Sequence, residues 1–215
     1  MLEVIKKNKM NIKFYQASTS EMFGNTNSES QNEKTDFKPV SPYAESKFYA
    51  HQLVKKYREN FNLFCCSGIL FNHESFLRSH HFVTKKIVNG LVNIKLGKSA
   101  PLKLGNLDAM RDWGFAGDYV DAMHLMMSQK VPNDYVVSTG RSHSVREFIK
   151  LTCKYMGYIP VFAGKGLKEI CYDKKSGKKL IQIDKKYFRF RELNRLKGDS
   201  EKIKKKTWME TKNEF

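Results

Sequence analysis

The feature that most constrains this chain is an uncharged run, Leu63–Phe71, in a sequence where 28% of residues are charged. A segment that excludes charge so completely is buried on both faces, which is the environment of an interior strand in a parallel sheet. The segment before it reads as a helix. Pro42 stands where helices begin, and Tyr43–Asn60 carries Phe48, Leu53, Val54 and Tyr57 at helical spacing. Before that helix come a short β-prone run, Ile12–Ala17, and a polar loop from Ser18 to Ser41. Strand, helix, strand is the unit of an α/β fold.

The alternation continues. Helices are expected over Phe82–Lys95 and Gly117–Gln129, and a buried strand over Tyr135–Ser138. Ser144-Val145-Arg146-Glu147 is a capping box opening a helix to about Tyr155. Beyond Tyr158 the pattern changes to two short strands, Lys168–Tyr172 and Lys179–Asp184, around a lysine-rich turn. This divides the chain into a main α/β layer over residues 1–158 and a small α+β cap over residues 159–215. The opening residues read as a piece of amphipathic helix running straight into a strand. The G-x-G-x-x-G turn of a dinucleotide-binding first strand is absent; Gly164-Lys165-Gly166 lacks its third glycine. The fold therefore reads as entered in the middle.

Lys plus Arg number 39 against 22 Asp plus Glu, a net charge of +17. Residues 161–215 hold 17 basic and 8 acidic residues, so the excess is densest there. Such a field attracts polyanions or a phosphate-bearing substrate. No recognised nucleic-acid module and no basic stripe with interleaved stacking aromatics accompanies it, so nucleic acid is not expected as a partner. No window approaches the roughly 18 apolar residues of a membrane helix, and the start lacks a secretory core, so a soluble cytoplasmic protein is expected. Cys65, Cys66, Cys153 and Cys171 show no zinc-ligand spacing and read as small buried or half-buried hydrophobes, with no metal site expected.

Two short segments carry chemistry. In Ser41-Pro42-Tyr43-Ala44-Glu45-Ser46-Lys47, Tyr43 and Lys47 lie at i and i+4, neighbours on one helix face. A free phenol has a pKa of about 10, and a nearby ammonium favours its ionised form, making it a workable general base. By itself this spacing also fits an ordinary helix-face pair. In Ala17-Ser18-Thr19-Ser20-Glu21 a hydroxyl and a carboxylate follow directly on a strand, at the end where open α/β sheets place their sites. That segment alone also fits a Ser/Thr turn with a solvated Glu21.

Together, Phe14–Gly24 and Ser41–Lys47 resemble the extended short-chain dehydrogenase/reductase family of nucleotide-sugar enzymes. Gly68–Ser75, Phe82–Ile87, Leu104–Asp108 and Arg111-Asp112-Trp113-Gly114 are similar to the GDP-mannose 4,6-dehydratase branch of it. The resemblance implies a Rossmann-like parallel sheet lacking its first βαβαβ half, with a truncated C-terminal substrate cap. It implies conversion of GDP-mannose to GDP-4-keto-6-deoxy-mannose, the first step of GDP-fucose synthesis, by internal hydride transfer through NADP. Tyr43 would take the proton of the sugar 4-hydroxyl, Thr19 would hold the C4 oxygen, and Glu21 would remove the C5 proton and assist loss of water from C6. Lys47 would bind the nicotinamide ribose and depress the tyrosine pKa. His73 and Arg78 match cofactor-contacting positions, and Asn72, Lys86, Arg111, Arg189 and Glu192 match substrate-side positions, several of them within 72–111.

Departures from the family pattern shape two further expectations. Phe76-Leu77-Arg78-Ser79 stands where the family typically has Pro-Arg-Arg-Gly, in the loop that reaches a neighbouring subunit's cofactor, so the family homo-oligomer is not expected to carry over intact. With no glycine-rich phosphate turn, the isolated chain is expected to be weakly active or inactive. The alternative is a non-catalytic nucleotide-sugar-binding relative, or a partner of a full-length subunit.

Overall fold

The computed structural model describes residues 1–188, 193 and 195–207. In chain order its first elements are α1 (Leu2–Lys7), β1 (Phe14–Thr19), α2 (Pro42–Phe61), β2 (Cys65–Leu70) and β3 (Asn72–Glu74). Next come α3 (Val83–Lys95), β4 (Leu102–Leu104), β5 (Met110–Arg111), β6 (Trp113–Phe115), α4 (Ala116–Met127) and β7 (Asp134–Val137). The remainder are β8 (His143–Ser144), α5 (Val145–Tyr155), β9 (Pro160–Ala163), β10 (Ile170–Asp173), β11 (Lys179–Ile183) and α6 (Glu201–Thr207). The chain forms two interleaved compact units. One holds Met1–Ser75, Arg111–Ser142 and Arg195 onward; the other holds Phe76–Met110 and His143–Asn194. The expected single division at residue 158 therefore does not describe the packing. Strand β11 finds its parallel partner in β4, far upstream, and draws that segment into the second unit.

The first unit is built on a parallel sheet in the order β1-β2-β7, with Phe14 opposite Cys65 and Ser67 opposite Asp134. As the uncharged run requires, every residue of β2 is buried. Because side chains alternate along a strand, the sheet feeds two apolar layers. Phe14 and Cys65 pack with Leu2, Val54, Tyr57 and Leu63 on the α1/α2 side. Tyr15, Ala17 and Leu70 pack with Tyr119, Ala122, Met126, Tyr135, Val137 and Ile203 on the other. Ile203 places α6 in this core, so the last described residues belong to the main layer and not to a cap.

Helix α2 is set by its ends. Ser41 Oγ accepts from Ala44 N at 3.1 Å, Pro42 occupies the first turn, and Asn62 stops the helix in a left-handed conformation at φ 53°. The β1 end is set by Gly24, whose φ of +65° and whose approach to Lys38 O, 2.0 Å from where a Cβ would sit, admit no side chain. The strand β7 edge is closed by side chains: Val136 N donates to Glu33 Oε1 at 2.7 Å, and Lys202 Nζ donates to Asp134 O at 2.7 Å. Asp112, fully buried, accepts from Thr139 N, Thr139 Oγ1, Gly140 N and Gly198 N, tying the turn after β7 to the segment before α6.

The second unit holds a mixed sheet, β4-β11-β10-β9, with α3 and α5. The capping box opening α5 is complete: Glu147 N donates to Ser144 Oγ at 3.0 Å, and Ser144 N donates to Glu147 Oε2 at 2.8 Å. Ser144→Ala is expected to cost about 1 kcal/mol of stability in a denaturant titration. Charge is distributed unequally. The second unit holds 19 basic and 6 acidic residues, net +13, against 20 and 16, net +4, in the first. All four cysteines are free and buried, and burial pushes the Cys65 thiol up to about 11 and Cys171 up to about 12. Among the described residues no helix is long and apolar enough to cross a membrane, and no His, Cys, Asp or Glu cluster could hold a metal.

Candidate active site

The carboxyl end of β1 and the first turns of α2 meet in the first unit. Thr19 is the last residue of β1 and caps a short 3₁₀ turn over Ser20–Phe23, its Oγ1 accepting from Glu21 N at 3.3 Å. Glu21 lies in that turn, half-buried, between the buried Ser20 and Met22. From the helix side, Lys47 Nζ donates to Ala17 O at 2.9 Å and sits 5.8 Å from the centre of the Tyr43 ring. Tyr43 itself is 52% exposed at the opening of the helix. Lys47 of the i, i+4 pair is thus joined by a hydrogen bond to the strand that ends in Thr19.

Four polar links run along the same helix. Four residues beyond Lys47, the buried His51 has its Nδ1 3.1 Å from Ser18 Oγ. Its Nε2 lies 3.8 Å from Asp134 Oδ2. Arg58 then grips Asp134 with both guanidinium nitrogens, at 2.7 and 2.6 Å, and donates to Cys65 O at 3.0 Å. Burial acts to raise the Asp134 carboxyl, yet the Arg58 fork holds it below the usual carboxylate range. Burial lowers His51, so the folded imidazole resists protonation. An unfolded His51 binds a proton below about pH 6.5 and the folded one binds it less readily, so acidification favours the unfolded chain. The melting temperature is expected to fall between pH 7 and pH 5, and to fall less steeply in His51→Gln.

The other expected site residues are placed as follows. Asn72 and His73 lie on β3, paired in parallel with Trp113 and Gly114 of β6. His73 Nδ1 is 2.9 Å from Phe71 O, and its ring packs on buried Tyr119 at 4.8 Å. With Nδ1–H donating to that carbonyl, Nε2 is the acceptor nitrogen of the ring. Arg111 ends β5 and is half-buried. Arg78 and Lys86 belong to the second unit. Arg78 stacks its guanidinium 3.3 Å over the Phe82 ring. Lys86 Nζ donates to Lys103 O at 2.8 Å and lies 3.5 Å over the Tyr187 ring, and burial lowers its pKa. Arg189 and Glu192 lie outside the described residues. The sequence reading missed Ser18, His51, Arg58 and Asp134. His51 stands one further helical turn from Tyr43 and Lys47, and that spacing was the available signal.

A family model described as GDP-mannose 4,6 dehydratase matches residues 1–215. The chain belongs to this family. Curated members of the GDP-mannose 4,6-dehydratase family are 46% identical over 204 residues (Dictyostelium discoideum; 95% of this chain, 57% of that protein) and 47% identical over 195 residues (Homo sapiens; 91% and 52%). One from Vibrio cholerae is 47% identical over 204 residues, covering 90% of this chain and 55% of that protein. The chain thus spans about half the length of the curated relatives it matches. Among solved structures, RMD from Pseudomonas aeruginosa complexed with NADPH superposes with a TM-score of 0.80 at 20% identity, over 99% of this chain and 66% of that one. The dTDP-glucose 4,6-dehydratase from Bacillus anthracis in complex with NAD gives 0.78 at 22% identity, over 100% and 61%. These likenesses establish the fold alone, one that nearly all of this chain shares with those two proteins.

The two solved neighbours hold NADPH and NAD. Were such a nucleotide bound here, Lys47, which spends one of its three N–H donors on Ala17 O, would offer the others to vicinal ribose hydroxyls beside the accessible Tyr43. For its pyrophosphate, the sequence holds no G-x-G-x-x-G turn.

Proposed function

We propose that this chain carries the catalytic side of a GDP-mannose 4,6-dehydratase, forming GDP-4-keto-6-deoxy-mannose with NADP bound, the first step toward GDP-fucose. The observation that carries the reading is the 2.9 Å bond from Lys47 Nζ to Ala17 O, which holds the helix face of Tyr43 against the strand that ends in Thr19. Tyr43 oxygen accepts the proton of the sugar 4-hydroxyl as C4 is oxidised, and the adjacent ammonium of Lys47 favours the charge that the phenol must carry. Thr19 donates its hydroxyl hydrogen to the C4 oxygen. Once C4 is a ketone the C5 hydrogen is acidic; Glu21 removes it and delivers a proton to the C6 hydroxyl, which leaves as water. When bound, a nicotinamide would supply the two-electron acceptor at C4 and return the same electrons at C6, with C5 taking up one proton in place of the one lost from the 4-hydroxyl, so the net change is loss of water with no net oxidation.

His73 and Arg78 are assigned to the cofactor, and Asn72, Lys86, Arg111, Arg189 and Glu192 to the nucleotide sugar. A second unit of net +13 suits a diphosphate. The test is consumption of GDP-mannose with NADP present, first by this chain and then by the chain supplied with the segments its longer relatives add. The chain alone is expected to turn over slowly, and the extended form to lose about 10²–10⁴-fold in rate on Glu21→Gln. An unchanged rate in Glu21→Gln overturns the assignment. Calorimetric binding of GDP-mannose with no turnover in either form favours a non-catalytic nucleotide-sugar binder instead.

A further inference from the structure

Successive turns of α2 hold successive residues of β1. Lys47 takes Ala17 O at 2.9 Å, and His51, one turn on, reaches Ser18 Oγ at 3.1 Å. Thr19 is the next residue along the strand. We propose that His51 is a positioning residue: through Ser18 it latches the carboxyl end of β1 to α2, and so sets Thr19 and Glu21 against Tyr43 and Lys47. This rests on the dehydratase reading for the roles of those four residues, while the latch itself is a property of the fold.

The geometry gives the latch a direction. His51 is 3% exposed and Ser18 is 3% exposed, so water does not compete for the bond between them. The Phe37 ring meets the imidazole edge-on at 5.2 Å and stacks on Phe23 at 5.0 Å, sealing that side with apolar surface. The groups of charge facing His51 are Asp134 from β7 and Arg58 and Lys55 from its own helix. A neutral imidazole has one N–H, and a carboxylate accepts only. The proton therefore sits on Nε2, toward Asp134, and Nδ1 accepts from the Ser18 hydroxyl. Asp134 is fixed in turn by the two-point grip of Arg58, so the series Arg58–Asp134–His51–Ser18 ties β7, α2 and β1 together. Ser18 is too buried to meet a substrate, which excludes reading this Ser–His–Asp series as a nucleophilic triad.

The test is amide hydrogen exchange on the full 215-residue chain, with no substrate or cofactor added. His51→Phe keeps an aromatic ring against Phe37 but removes the acceptor. It is expected to speed exchange at Thr19–Gly24 by about tenfold or more, while Ile69 and Leu70 in β2 stay within about twofold. Ser18→Ala, a smaller change, is expected to act in the same place, and His51→Gln, which returns an acceptor, to restore most of the protection. Unchanged exchange at Thr19–Gly24 in both His51→Phe and Ser18→Ala overturns the latch, and so does a speeding shared equally by β1, β2 and β7. Nitrogen-15 spectra of the histidines give an independent readout. A neutral Nε2–H tautomer for His51 at pH 7 supports the assignment, and an Nδ1–H tautomer overturns it. The dehydratase reading fails separately, on turnover that survives loss of Glu21 or Tyr43.

Discussion

Tyr43→Phe is expected to lower GDP-mannose turnover by about 10²–10⁴-fold while leaving the melting temperature within about 2 °C. The two halves of that expectation have different causes. On the proposed reading, removing the phenol oxygen removes the base for the sugar hydroxyl, and a positioned base contributes about that factor. The ring itself is 52% exposed, and substitutions at such positions typically move stability by no more than about 0.5 kcal/mol. The measurement is kcat and kcat/KM in the turnover-competent form, with a thermal melt of the same preparation. An equal loss of both rate and stability would mean that Tyr43 is part of the packing and not of the chemistry.

The second large effect is on folding. Arg58→Ala leaves the Asp134 carboxylate, whose side chain is 14% exposed, without the two-point partner that compensates its burial. Breaking a buried pair from one side costs about 3–5 kcal/mol. In a chain of this length that corresponds to a fall of roughly 6–20 °C in melting temperature. The same change removes the donor to Cys65 O and the anchor behind His51. Adding Asp134→Ala to Arg58→Ala is expected to recover part of the loss, because the orphaned charge is then gone. A double variant less stable than Arg58→Ala by the full cost of Asp134→Ala would show that the two side chains act independently.

Much of the first unit was legible because its signals are local. Leu63–Phe71 announced an interior strand by excluding charge, and Ser41-Pro42 announced the start of α2 by cap chemistry; both elements stand within two residues of where those signals put them. Tyr43, Lys47, Thr19 and Glu21 were visible for the same reason, a spacing on a helix and a strand end. In the second unit α3, α5, β10 and β11 stand close to where local signals put them, whereas β4 and β9 were not legible, because pairing with other segments and not their own pattern makes them strands. Leu102–Leu104 is a strand only because Ile181–Ile183 lies beside it, and nothing within three residues records that. Pro160 argues against a strand by its missing donor, yet β9 is an edge and begins there, where the donor is not needed. The buried series Arg58–Asp134–His51–Ser18 escaped for a related cause. Each member looks like an ordinary surface or loop residue in isolation, and its meaning comes from partners 33 and 76 positions away.

Isotope tracing in the turnover-competent form tests most directly whether Tyr43 and Glu21 serve one hexose. Starting from GDP-mannose deuterated at C4, the product is predicted to carry that deuterium at C6, and a run of unlabelled substrate in D₂O is predicted to place solvent deuterium at C5. Glu21→Gln is predicted to stop the C5 exchange while Tyr43 still permits oxidation at C4. Deuterium lost from C4 to solvent, or C5 exchange at an undiminished rate in Glu21→Gln, would contradict the account.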